Sequence, residues 1–157
     1  MAVEFSETAK QEFEEILKHY PTKEAAMLPT LHLAKREFGH ISLDVLNYIG
    51  KLLELHPTRV ANVVSFYTLF PREPEGKYVI QVCSTLSCQL MGAETVVEHI
   101  KKKLNIDVGE TTPDKKFTLK KVECLGSCGT APVMQINDDY YEQLTEEKID
   151  KILDSLK

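Results

Sequence analysis

No stretch of this 157-residue sequence approaches the roughly 18 consecutive apolar residues that a membrane-spanning helix needs. The start, MAVEFSETAK, lacks the basic stretch and apolar core of a secretory signal, so the chain reads as cytoplasmic with no direct membrane insertion. There is no surplus of positive charge: the formal net charge is −5, which argues against nucleic acid, because phosphate binding needs a basic face. No Ser/His/Asp set, Gly-rich phosphate loop or pair of carboxylates at catalytic spacing stands out, so no catalytic residue is assigned. The five histidines (His19, His32, His40, His56 and His99) show no paired ligand spacing and read as surface or satisfied core residues. Internal repeats and low-complexity tracts are also missing.

What is present suffices for a packed interior. Hydrophobic residues make up 43% and charged residues 27%, in a length that holds one ordinary domain or two small ones. The pattern changes near Tyr67. Up to there it is helical, with apolar residues at helical spacing in four segments. The first runs from about Ser6 to Tyr20 and stops at Pro21. The second runs from about Lys23 to Phe38, with Pro29 in its early turns and Gly39 at its end. Ser42 caps a third segment through Leu53. Thr58 is expected to cap a short fourth that carries Val60, Val63 and Val64. In this last segment the run Val63 to Tyr67 reads first as core, with a partner surface as the competing reading.

Pro71 to Gly76 (PREPEG) is a polar, Pro/Gly-rich linker. Beyond it, YVIQVC (Tyr78–Cys83) and FTLKKVEC (Phe117–Cys124) read as strands, as do Val133–Ile136 and Tyr140–Leu144, the last two joined by a turn at Asn137-Asp138-Asp139. Helices are expected over Gly92–Leu104, where Lys101-Lys102-Lys103 form a solvated end, and after Thr145. The fold class is therefore α+β: a helical bundle over residues 1–70, then a thioredoxin-type domain over residues 76–157 with one mixed four-stranded sheet between helices.

The only four cysteines fall into two clips, Cys83-x4-Cys88 and Cys124-x3-Cys128, with 35 residues between the clips. Each clip begins where a strand is expected to end, so neighbouring strands would project both loops from one edge. Gly126 and Gly129 bracket Cys128, and glycine lets backbone N–H groups approach sulfur; Ser84, Thr85, Ser87 and Ser127 offer hydroxyls. Reduced cysteines in a cytosolic chain are more often metal ligands than disulfides, and the competing reading is small buried hydrophobes. Structural zinc usually uses C-x2-C knuckles, and a thiol–disulfide enzyme places C-x2-C at a helix start. The looser spacing here favours a two-iron, two-sulfide centre, with a zinc module as the alternative.

The residues around the clips carry a further resemblance. VSFYTLF (Val64–Phe70), VCSTLSCQLMGAE (Val82–Glu94), LNIDVGETTPDKKFTLKKVECLGSCGTAPVMQIN (Leu104–Asn137) and DDYYEQLT together resemble the thioredoxin-like ferredoxin subunit of NADH:quinone oxidoreductase, respiratory complex I, the E subunit in bacteria. Related subunits occur in NAD-linked hydrogenases and formate dehydrogenases. The resemblance implies that Cys83, Cys88, Cys124 and Cys128 hold one [2Fe-2S] cluster. It implies a partner subunit carrying FMN and the NADH site, one-electron exchange with reduced flavin, and a place in the peripheral arm of the complex. This chain alone would then be an electron carrier without its own substrate site. One departure is visible: where the family has an Asp-Gly turn before FTL, this chain has Pro113-Asp114-Lys115-Lys116. Pro132 stands where thioredoxins carry a cis proline.

Overall fold

The computed structural model describes residues 3–156, and the chain divides into two compact units between Pro74 and Glu75. The first unit is made of four helices, α1 (Glu7–Lys18), α2 (Met27–Phe38), α3 (Leu43–Leu53) and α4 (Pro57–Phe66). Side-chain caps fix three of the starts, two of them through serine. Ser6 and Ser42 accept from the N–H groups of Ala9 and Val45, which would otherwise lack partners in the first turn. Glu54 ends α3 in the left-handed conformation, and the Leu55 N–H returns to Gly50 O at 2.8 Å.

Two boundaries differ from the sequence reading. The stretch after Lys23 is a turn, and α2 begins at Met27, which puts Pro29 in the first turn where no intrahelical donor is lost. The cap of α4 is His56, not Thr58: Pro57 takes the first helical position, and His56 Nδ1 accepts from the Thr58 N–H at 3.3 Å. The bundle interior is assembled from Phe13, Leu31, Ile41, Ile49, Leu53, Val60 and Val64. Burying each such side chain stabilises the unit by about 1.5–3 kcal/mol before entropy is counted.

The second unit is a sheet of four strands, β1 (Tyr78–Cys83), β2 (Phe117–Val122), β3 (Met134–Ile136) and β4 (Asp139–Tyr141), in the order β2-β1-β3-β4. The β1–β2 pair is parallel, and the other two pairs are antiparallel. Helices α5 (Leu86–Leu90) and α6 (Ala93–Leu104) join β1 to β2, and α7 (Glu146–Ser155) closes the unit. Ile80, Val82, Leu119 and Met134 from the sheet pack with Val97 and Ile100 of α6 and Ile149 and Leu153 of α7. The last strand is shorter than its sequence pattern, ending at Tyr141, because Gln143 and Leu144 bond to a loop instead of continuing the ladder.

Four non-glycine residues of this unit, Asn105, Lys115, Asn137 and Gln143, take positive φ. Asn137 takes φ 54° between β3 and β4, a conformation that asparagine tolerates. Lys115 takes φ 55° in the turn before β2, closed by its N–H on Thr112 O at 2.8 Å. The Ala131–Pro132 peptide is cis. Among the described residues no helix is long and apolar enough to cross a membrane.

Candidate metal centre

The parallel register fixes where the two cysteine loops leave the sheet. Cys83, the last residue of β1, stands opposite Val122, the last residue of β2. Parallel neighbours run in the same direction, so both following segments depart from one edge. The N–H and hydroxyl of Ser84 reach across to Val122 O at 2.9 and 3.0 Å, tying the two exits together.

Each sulfur has a distinct setting. Cys83 and Cys88 are buried with Ala93 and Val133, and Cys124 and Cys128 are exposed; all four are free thiols. Cys88 lies on the short helix α5, not in an open loop, and Cys124 lies two residues past the end of β2. Cys128 opens a single 3₁₀ turn, Cys128–Thr130.

The contacts run between the clips as well as within them. Burial raises the Cys83 thiol, but hydrogen bonds from the Thr85 hydroxyl, the Thr85 and Leu125 backbone N–H groups and Cys88 outweigh it, bringing it down to about 7. Thr85 Oγ1 stands 3.2 Å from Cys83 Sγ. Cys88 is pushed up by burial, by its bond to Cys83 and by the nearby charges of Cys83 and Cys128, against a Val133 N–H that favours its thiolate. Leu125, the residue after Cys124, packs with Ala131 against the buried group of Cys83, Cys88, Ala93 and Val133. The segments that carry the two clips therefore leave the sheet side by side at one edge.

Gly126 meets the expectation for backbone donors: at φ 79° its N–H points to Cys124 Sγ at 3.3 Å. Gly129 has no such requirement, since a Cβ there would meet nothing within 4 Å. Of the hydroxyls, Thr85 faces sulfur, whereas Ser84 and Ser127 bond elsewhere. The Leu125 and Val133 N–H groups have no sequence signature, because any residue can supply them. Helix α5 is also hard to read from sequence, being a single turn.

Among the described residues, no group of three or more His, Cys, Asp or Glu side chains is placed to hold a metal ion. A tetrahedral zinc site gathers four donors about one point, whereas a binuclear cluster takes thiolates as two pairs joined through bridging sulfide. What fits the binuclear group is the donor chemistry: two pairs of thiols, with the Gly126 N–H directed at Cys124 sulfur. Three of the histidines make contacts away from the thiols. His99 Nε2 bonds Asp150 at 2.9 Å, His19 Nδ1 lies 2.8 Å from Glu15 O, and His32 packs against Phe70. The lysine run is paired in part: Lys101 with Glu98 and Asp107, Lys103 with Asp150 and Asp154.

Comparison with known proteins agrees with this architecture. A family described as thioredoxin-like [2Fe-2S] ferredoxin matches residues 13–157. The protein named as the E subunit of NADH-quinone oxidoreductase in Rickettsia felis is 47% identical over 144 residues, spanning 90% of this chain and 86% of its own length. The NADH-quinone oxidoreductase E 2 subunit of Rhizobium meliloti is 41% identical over 150 residues, 96% of this chain and 89% of that one. Among solved structures, a chain of an NAD+-reducing [NiFe]-hydrogenase in the air-oxidised state superposes with a TM-score of 0.71 at 23% identity. That match covers 83% of this chain and 22% of the larger one, and it shows a shared fold.

Proposed function

The chain belongs to the thioredoxin-like [2Fe-2S] ferredoxin family, and from that premise we propose that it is the electron-transfer E subunit of an NADH:quinone oxidoreductase. Cys83, Cys88, Cys124 and Cys128 are the ligands of one [2Fe-2S] cluster. The observation that supports this reading is the departure of both cysteine segments from one sheet edge, with Leu125 packed against the buried Cys83 and Cys88. The quinone-linked host is preferred to a hydrogenase because the relatives at 41% and 47% identity bear that name.

When bound, the cluster supplies one-electron chemistry, accepting and returning a single electron. The residues of this chain supply the surroundings. The Thr85 hydroxyl and the N–H groups of Thr85, Leu125, Gly126 and Val133 direct positive dipole ends at sulfur. They favour thiolate over thiol and offset added negative charge. Burial of Cys83 and Cys88 keeps water from one side, while exposed Cys124 and Cys128 leave the other open to a partner.

That partner is the subunit carrying FMN and the NADH site, in the peripheral arm of the complex. Two exposed apolar groups support a docking role. On α5, which carries Cys88, Leu86 and Leu90 are 74% and 78% exposed, and Met91 at its C-terminal cap is 62% exposed. At the end of α4, Phe66 is 76% exposed and stacks edge-on with Tyr67 at 4.9 Å, while Val64 takes the core role. Exposed large apolar side chains grouped in sequence like these suit protein–protein contact. The bundle up to residue 70 is accordingly a docking unit, and residues 76–157 carry the cluster.

Metal analysis of anaerobically purified protein tests the reading. About two iron and two acid-labile sulfide per chain are expected, with a red-brown colour. About one zinc and no sulfide would establish the structural-module alternative.

A further inference from the structure

One segment holds the second cysteine loop along its whole length. Tyr140 Oη donates to Leu125 O at 3.0 Å, and Ser127 Oγ donates to Glu142 Oε1. The Gln143 N–H donates to Thr130 O at 2.7 Å and the Leu144 N–H to Pro132 O at 3.1 Å. The four attachment points, residues 125, 127, 130 and 132, straddle Cys128. Two of these bonds come from backbone groups that any residue would provide. Of the two made by side chains, only Glu142 brings a charge.

The Glu142 carboxylate is partly buried and well supplied with donors. Ser127 and Thr130 hydroxyls stand 2.7 Å apart beside it, and both hold its carboxyl below the ordinary glutamate range, with Lys148 adding in the same direction. Lys148 Nζ also bonds the Glu142 carbonyl at 2.5 Å, fixing the backbone beneath the side chain. A neutral acceptor would still anchor Ser127, by a weaker bond. A carboxylate bonded one residue from a ligand adds a fixed negative charge where an incoming electron must be accommodated.

On the cluster reading above, we propose that Glu142 is a positioning residue for the Cys128 loop, acting through Ser127 and Thr130, and that its charge makes the bound cluster harder to reduce. Glutamine in its place keeps an oxygen for Ser127 and removes the charge; alanine removes both.

Iron and sulfide content of the wild-type protein is measured first, so failure of the ligand assignment is seen before any variant is compared. Potentiometric titration followed by electron paramagnetic resonance, with release of iron to a chelator, is then applied to wild type, Glu142→Gln and Glu142→Ala. Glu142→Gln is expected to release iron within about twofold of the wild-type rate, because the loop bond is kept. At a fixed ambient potential its ratio of reduced to oxidised cluster rises about threefold. Glu142→Ala is expected to release iron about tenfold faster, having lost a charge-assisted bond. An unchanged potential in Glu142→Gln, or wild-type release from Glu142→Ala, overturns the proposal.

Discussion

Cys83 and Val122 face each other on the last rung of the parallel β1–β2 ladder. That single pairing places both cysteine loops at the same edge. Had β2 been antiparallel to β1, the clips would have left opposite ends of a six-residue strand, about 20 Å apart. The register is held by alternation: Ile80 and Val82 face the same interior, so a one-residue slip would expose them.

The Thr85 hydroxyl is one of the groups that stabilise negative charge on Cys83. Thr85→Val keeps the shape and removes the donor. One such bond contributes about 1 kcal/mol, so the cluster should become harder to reduce, with about a fivefold fall in the reduced-to-oxidised ratio at fixed potential. Redox titration checks this, and an unchanged midpoint contradicts it.

Lys115 sits in the left-handed region, where a side chain crowds the following carbonyl. Lys115→Gly should therefore raise the stability of the second unit by about 1 kcal/mol in urea unfolding. Asp114 holds this turn from the other side, accepting from Thr112 Oγ1 at 2.5 Å and from the Lys116 N–H at 3.0 Å. Those bonds explain how a lysine is accommodated where an Asp-Gly pair was the family expectation.

Gly76 is needed for close approach. A Cβ there would lie 2.9 Å from backbone atoms of Lys116 and Phe117, and its N–H bonds Thr118 Oγ1 at 2.7 Å. Gly76→Ala must push the start of β2 away from β1, at a cost of about 1–3 kcal/mol. Chemical denaturation reads the loss; wild-type stability would show that the backbone yields freely.

Phe66→Asp tests the proposed docking role of the bundle. It alters an exposed ring and leaves Val60 and Val64 buried. Thermal stability should change by less than about 0.5 kcal/mol, with the cluster spectrum intact, while co-purification with the flavin subunit should weaken. Undiminished one-to-one recovery would place the contact elsewhere.

Asp150 is one of several carboxylates that contribute to the acid limb of stability. Asp150 is held below the ordinary aspartate range first by its bond to His99 and then by Lys103. A carboxyl depressed in the folded state contributes stability that is present above its unfolded pKa, about 3.9, and is lost as pH falls through the lower folded value. Unfolding between about pH 5 and pH 2 should therefore be less steeply pH-dependent in Asp150→Asn than in wild type. Superimposable profiles would contradict this role.

Much of this was legible in the sequence, for physical reasons that differ by element. β1 is legible at its observed bounds because four of its six residues are β-branched or aromatic and they sit between a Gly-containing linker and a polar loop. α3 was read from Ser42 because a hydroxyl cap precedes an apolar repeat. The cap of α4 was misplaced because Pro57 favours the first helical position, leaving His56 to supply the acceptor. α5 was missed because five residues are too few to show a period. The thiols were legible as residues, but the Leu125 and Val133 donors were not, since backbone groups leave no trace in side-chain identity. The Glu142–Ser127 bond depends on β4 ending at Tyr141, which only the tertiary pairing determines.

Electron paramagnetic resonance of dithionite-reduced protein is the most direct measurement of the ligand assignment. The account predicts an S = 1/2 signal in the wild type that is lost or altered in each of Cys83→Ala, Cys88→Ala, Cys124→Ala and Cys128→Ala. A silent wild-type sample that contains iron and sulfide, or an unaltered signal in any one of the four variants, would contradict it.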